Sequence, residues 1–399
     1  MSAGAVAARL SRALALTSLA PALFLAACAA RGPGPNGPIA YGSRAGIASG
    51  AMIPASIGSV GASSASAAAR DSDGESSFGP PRVVRSPWSL DGAAGETLQT
   101  DHFIIHTTDT TTWIGERLPA VMEAACATYR TALVDLPPAR TALEMFVLAS
   151  RAQWQALTLR ELGGRGHALT RMGRGGFTFA GRAFLFDIGA ADTMSLASHE
   201  GWHQFTQRSF AEPLPIWAEE GIATYMEGHR WRAGGGAGGT VTFNAWNNPE
   251  RFDRLREAEG AAQLIALEML LASTPEQMIG RGEAQGITYY AQVWALVHFL
   301  NEGEGGKYRA GFQRLIRDAS SGALGTTMVA QMRSNGSLNS DRHGAVLILA
   351  RSMSAQVFRT YITPDIAQAE GEYRAFVRRL VAPGSKQKIT QGVSPTFEF

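Results

Sequence analysis

The segment Ser195–Phe205 reads Ser-Leu-Ala-Ser-His-Glu-Gly-Trp-His-Gln-Phe, and it restricts the fold more than any other stretch of the chain. His199 and His203 are four positions apart. On a helix this spacing puts both imidazoles on one face, a single turn apart, within reach of one metal ion. Glu200 follows the first histidine and points to the side where a metal-activated water would sit. A hydrolytic zinc centre needs a third protein ligand and a vacant fourth position. The fold must therefore bring a second element against this helix.

That element follows after a short loop. Leu214-Pro215-Ile216-Trp217-Ala218-Glu219-Glu220-Gly221-Ile222-Ala223-Thr224-Tyr225 reads as a second helix, with Pro215 suited to its first turn. Glu220 lies 17 positions after His203, enough for a helix end, a turn and an antiparallel return. A carboxylate of this helix is expected to complete a two-His, one-Glu site, with Glu219 the rival of Glu220. Adjacent helical residues point about 100° apart, so only one of the two can face the ion. Tyr289 and Tyr290, at the start of a later helix, are candidate oxyanion donors.

The rest of the body alternates between strand and helix signals. His102–Thr108 and Leu143–Leu148 read as strands, and 112–135 and a stretch after Ser150 as helices. The glycine-rich residues 163–176 are expected to form a mobile loop. Phe177–Phe179 and Ala183–Phe186 read as strands joined by a tight turn at Ala180-Gly181. Beyond them the chain reads as helical at about 191–209, 215–228, 250–271, 287–302, 307–318 and 345–382. The expected class is α+β: a small mixed or antiparallel sheet with helices, followed by an all-helical C-terminal half.

The first 28 residues are an address. Arg9 and Arg12 precede the apolar run Ala13–Ala27, which is too short to span a membrane well. Leu25-Ala26-Ala27-Cys28 resembles a bacterial lipobox, so Cys28 is expected to carry a lipid anchor. With Ala29 after it, the analogy points to the outer membrane where one exists. Residues 29–95, rich in Gly, Ala, Ser and Pro, are expected to be a disordered tether. The catalytic unit then divides into an α/β part (96–190), a helical part carrying the zinc site (191–320) and a C-terminal helical extension (321–399).

Composition narrows the function. Lys plus Arg total 36 against 34 acidic residues, so nothing electrostatic points to nucleic acid. The only cysteines, Cys28 and Cys126, form no C-x-x-C pair, which excludes thiolate zinc ribbons and redox dithiols. Cys126 is expected to be a small buried residue.

H-E-x-x-H followed by W-x-x-E-G-x-A resembles the gluzincin pattern of aminopeptidase N-type enzymes. The likeness is closer to the peptidase-MA-like domains of uncharacterised bacterial proteins. Those pair an H-E-x-x-H-Q helix with P-x-W-x-x-E-G and a later Y-x-Q-x-W-x-L-V-x-x-L helix. Here the elements are HEGWHQ (199–204), PIWAEEG (215–221) and YAQVWALVHFL (290–300). The resemblance spans about 195–302 and implies a zincin-like fold. It also implies zinc on His199, His203 and Glu220, Glu200 as the base and Tyr290 as the matched tyrosine. There is no upstream G-x-M-E-N, so the resemblance does not carry exopeptidase activity. Thr206 and Ser209 stand where a metzincin has a glycine and its third histidine.

The expected activity is that of a zinc-dependent endopeptidase acting on peptides or proteins of the cell envelope. The alternatives are an inactive zinc-bearing domain that binds peptide, cell-wall polymer or a partner protein, and a structural lipoprotein with an accidental motif. Of the remaining candidates, Tyr225 and His229 are weaker site residues. His102, His106 and His298 are expected to be structural, and Trp202 and Trp217 to be core. Asp187 is expected to serve a turn, or else to orient a ligand histidine.

Overall fold

The computed structural model describes residues 69–70, 76–170, 175–233, 239–334 and 354–396. The signal segment with Cys28, most of the tether and residues 345–353 of the expected last helix lie outside them.

Ten strands and fourteen helices are described: β1 (Ala69–Arg70), β2 (Ser76–Phe78), β3 (Val84–Leu90), β4 (Ala93–Gln99), β5 (Phe103–Thr107), α1 (Thr112–Thr131), β6 (Leu143–Leu148), α2 (Arg151–Leu162), α3 (Gly166–Leu169), β7 (Gly176–Phe179), β8 (Arg182–Phe186), α4 (Ala190–Ser209), α5 (Ile216–Tyr225), β9 (His229–Ala233), β10 (Gly239–Phe243), α6 (Pro249–Gly260), α7 (Leu267–Ala272), α8 (Pro275–Gly280), α9 (Glu283–Gly306), α10 (Arg309–Ser321), α11 (Leu324–Ser334), α12 (Ser354–Tyr361), α13 (Ile366–Leu380) and α14 (Ser385–Thr390).

A six-stranded sheet in the order β3-β4-β5-β6-β8-β7 forms the first half. Its pairs are antiparallel except β5–β6 and β6–β8. Helix α1 makes the crossover for the first parallel pair, as parallel pairing requires. Period-2 alternation splits the sheet into two apolar faces. Phe103, Ile105, Met145, Val147, Ala183 and Leu185 join the main core with α1 and α4. Phe146, Leu148, Phe177, Phe184 and Phe186 pack on the other face with Trp154 and Leu157 of α2.

The class agrees with expectation: mixed α+β, with a mostly antiparallel sheet and a helical C-terminal half. Three details correct the sequence reading. Strand β3 and the first three residues of β4 lie inside the stretch read as tether, so the ordered body begins well before residue 96. Most of β3 is exposed, which explains why it carries no hydrophobic signature. The sequence reading missed its turn as well: Asp91-Gly92 adopts positive φ at both residues (49° and 83°), as a two-residue hairpin demands, and this dipeptide is the signal that could have found it. Second, β9 and β10 form a hairpin between the helices, in a stretch where the sequence reading placed no element. With β1 and β2 they make a second, antiparallel sheet. Third, the glycine-rich segment holds a 3-10 turn and α3, with 171–174 outside the described residues.

Helix α4 is buried almost throughout, including every residue from Thr193 to Thr206 except Ser195. It is wedged between α1, the sheet and α5. Two glycines permit this. A Cβ on Gly201 would stand 2.5 Å from Tyr129 Oη, and one on Gly221 would stand 2.8 Å from the Val293 carbonyl oxygen of α9. The helix bearing Glu220 therefore lies closer to α9 than any side chain would allow. Among the described residues, no helix is long and apolar enough to cross a membrane.

Candidate metal centre

Helix α4 presents His199 and His203 side by side, their ring centroids 5.0 Å apart. Helix α5 brings Glu220 against them. Its Oε2 is 3.6 Å from His199 Nε2 and 3.8 Å from His203 Nε2. Ligand atoms of the three residues all lie within 4.8 Å of one another, and the three form the candidate metal-binding group among the described residues. Bonds of about 2.0–2.1 Å in a tetrahedron place ligand atoms roughly 3.4 Å apart, so Glu220 Oε2 already stands near ligand spacing from both imidazoles.

The chemistry of the donors fits a cation. All three side chains are fully buried, and neither His199 Nε2 nor either oxygen of Glu220 has a hydrogen-bond partner. A buried carboxylate without hydrogen bonds is costly unless a positive charge faces it. Burial, only partly offset by the histidines, pushes the Glu220 carboxyl up. Burial alone would push the His199 imidazole down, but Glu220 and Glu227 reverse this and raise it to about 10. The same carboxylates that favour the charged imidazole would favour a divalent ion at this place.

The other ring nitrogens are held by carboxylates. His199 Nδ1 donates to Glu227 Oε1 at 3.0 Å, and His203 Nδ1 donates to Glu219 Oε1 at 2.9 Å. Donation at Nδ1 fixes the tautomer that leaves Nε2 to the ion. Glu219 also accepts from Thr206 Oγ1 at 2.7 Å. Glu219 is thus turned away from the ligand position, and Glu220 takes it, as the motif resemblance implies. Burial raises the Glu227 carboxyl, but Arg251 and His199 outweigh it and bring it down to about 2.

Glu200 is fully buried beside the triad. Thr178 Oγ1, from β7, is 2.8 Å from Glu200 Oε2 and 3.0 Å from its carbonyl oxygen. Oε1 has no hydrogen-bond partner. The two tyrosines separate cleanly. Tyr289 Oη donates to the Ser273 carbonyl at 3.3 Å, away from the triad. The Tyr290 ring lies edge-on to His199 at 6.2 Å, and its buried hydroxyl has no partner. The tyrosines lie about two turns inside α9, not at its start, because the helix begins at Glu283.

The remaining candidates lie elsewhere. Asp187 Oδ1 accepts from Gly189 N and Thr193 Oγ1 at the start of α4, which is the turn role. His229 bonds Met226 and Thr128, and burial drives it down to about 3. Tyr225 and His298 pack together, and His298 stacks on Trp246 at 3.6 Å. His102 pairs with Glu123, and His106 with Thr97 and Glu144. Trp202, Trp217 and Cys126 are buried, and burial pushes the Cys126 thiol up to about 12. Sequence reasoning missed Thr178, Glu227, Asn248 and Arg251.

A family model described as a protein of unknown function (DUF1570) matches residues 193–321. That is about a third of the chain. It runs from the first turns of α4 to the end of α10 and contains the triad, Glu200 and Tyr290. The description names no activity. No curated protein and no solved structure matches the chain.

Proposed function

We propose that this protein is a zinc-dependent hydrolase of the gluzincin type, an endopeptidase for peptides or proteins of the cell envelope. The observation that carries this reading is the convergence of three buried donors, two of them lacking hydrogen bonds at their ligand atoms, beside an equally buried glutamate. Two nitrogens and one carboxylate oxygen are a donor set that suits zinc. Zinc held by His199, His203 and Glu220 would supply Lewis acidity and lower the pKa of a water at the vacant position.

The chain's own residues supply the rest. Glu200 takes a proton at its free Oε1 from the water whose oxygen attacks the substrate carbonyl, then gives it to the leaving amine as the C–N bond breaks. Thr178 keeps the other oxygen of Glu200 in place. Tyr290 donates its free hydroxyl to the developing oxyanion. Strand β7 is the end strand of the sheet order, and its Thr178 touches Glu200. An extended peptide that adds to this strand would pass the base. Attachment through a lipid on Cys28 is part of the same proposal, and loss of palmitate labelling in Cys28→Ala tests it.

A second reading has one observation in its favour: the triad, Glu200 and Tyr290 are all fully buried. A zinc domain that binds a partner without turnover has no need to open, whereas a hydrolase must admit substrate. Digestion of casein and a peptide library, with and without chelator, separates the two. The hydrolase reading expects chelator-sensitive cleavage that zinc restores and Glu200→Gln abolishes while keeping its metal. Stoichiometric zinc without cleavage supports the binding domain. Hydrolysis that survives in Glu200→Gln removes the assigned base.

A further inference from the structure

We infer that Arg251 is the positioning residue that unites the centre, holding His199 through Glu227 and the ring of Tyr290 directly. The inference rests on the reading of the triad as a metal site. Arg251 comes from α6, which supplies no candidate ligand, and is only 2 % exposed. Its Nε donates to Glu227 Oε2 at 3.1 Å and its Nη2 to Oε1 at 2.8 Å. This is a two-point grip that only a planar fork can make. Asn248 Nδ2 adds a bond to Oε2 at 2.8 Å. Glu227 Oε1 also receives His199 Nδ1 at 3.0 Å. The same guanidinium carbon lies 5.3 Å from the centroid of the Tyr290 ring, within cation–π range. The Tyr290 and His199 rings meet edge-on. His199, Glu227, Arg251 and Tyr290 thus form a closed circuit around one buried charge.

The circuit has two consequences. Both oxygens of Glu227 are engaged, so this carboxylate cannot swing in to compete with Glu220 for the ion. The orientation of the ligand imidazole and that of the free phenol are set by one group, so a change at Arg251 reaches both. A residue that merely anchors α6 would reach neither.

The test uses Arg251→Lys, which keeps the charge but loses the fork. Zinc affinity is read by competition with a chromophoric chelator, and the Tyr290 ring signal by NMR of the 13C-tyrosine-labelled protein, identified by its loss in Tyr290→Phe. Arg251→Lys is expected to weaken zinc binding about 10- to 100-fold and to displace the Tyr290 signal. In a Glu227→Gln background it should add almost no further loss of affinity, because the path runs through that carboxylate. Wild-type affinity in folded Arg251→Lys, or the same loss on top of Glu227→Gln, overturns the inference. Should Arg251→Lys fail to fold, Glu227→Gln carries the test. Weaker zinc binding together with a displaced Tyr290 signal supports it, and either one unchanged overturns it. A wild-type protein that takes up no zinc sinks the metal-centre reading instead, and the Tyr290 signal alone then decides whether Arg251 positions the ring.

Discussion

Adding one methyl group to Gly221 should damage both the stability of the protein and the candidate metal site. The Cβ of Gly221→Ala would stand 2.7 Å from Val297 Cγ2 and 2.8 Å from the Val293 carbonyl oxygen. Val297 is β-branched inside a helix, where one rotamer dominates, so it cannot turn aside. The carbonyl belongs to the backbone of α9 and cannot move without moving that helix. Helix α5 must therefore shift outward by several tenths of an ångström. Overpacking of this kind costs about 1–3 kcal/mol, and the rigid partner puts Gly221→Ala near the upper end. Glu220 is the neighbouring residue on the displaced helix and must follow it, so zinc affinity at the proposed site should fall about tenfold as well. The control is Gly371→Ala on the exposed side of α13, where a Cβ meets nothing within 4 Å. There the substitution should stabilise by about 0.5–1 kcal/mol, because glycine is a poor helix residue. Urea unfolding of the metal-free proteins reads stability, and chelator competition reads affinity. A Gly221→Ala protein as stable as wild type would refute the claim that α5 and α9 meet without room for a side chain. A destabilised variant with unchanged affinity would sever packing from the site.

The two tyrosines should part company under phenylalanine substitution. Tyr289→Phe loses a bond to Ser273 and about 1 kcal/mol of stability while turnover persists. Tyr290→Phe should keep stability and zinc affinity but lower kcat about 100-fold or more, and equal kcat in the two variants would remove the proposed oxyanion donor. Stripping the metal should lower Tm reversibly by about 4 °C, since a ligand at 100 times its Kd adds about 2.7 kcal/mol; calorimetry that shows one Tm with chelator or with zinc argues against a specific site. Glu302 supplies a pH dependence, because burial raises its carboxyl from 4.5 to about 7 despite bonds from Ser394 and Thr396. The folded state then holds the proton more tightly than the unfolded chain, so this contribution is complete below about 4.5 and lost as pH rises through 7. Discounted for partial exposure, it is worth about 2 kcal/mol. Glu302→Gln should therefore show a smaller fall in urea midpoint between pH 5 and pH 8 than wild type, and parallel falls would refute the assignment.

The parts of the centre that the sequence reveals are those whose spacing is local. His199 and His203 are legible because a helix converts four residues into one turn. Glu220 is legible because a short loop and a proline-started helix return the chain at once. The strands of the sheet interior are legible through Phe103, Ile105, Met145 and Leu185, whose alternation is a local property of the pleat. Strand β3 hides because its exposed side chains carry no such pattern, even though Asp91-Gly92 announces its turn. The β9–β10 hairpin hides behind a glycine run that reads as a loop.

Thr178, Glu227 and Arg251 are illegible for a different reason. None sits at a fixed interval from the residue it serves: Thr178 reaches Glu200 from a neighbouring strand, and Glu227 reaches His199 only because α5 has already ended at Tyr225. Arg251 needs two further elements, the β9–β10 hairpin and the turn to α6, before it meets Glu227. A helix-bound motif can specify which atoms face an ion, but not the tautomer and ring angle that make them ligands. Those depend on buried charges delivered by the tertiary fold. It follows that a chain could keep His199, Glu200, His203 and Glu220 and still bind metal poorly. Substitutions at Glu219, Glu227 or Arg251 are where the motif and the metal site come apart.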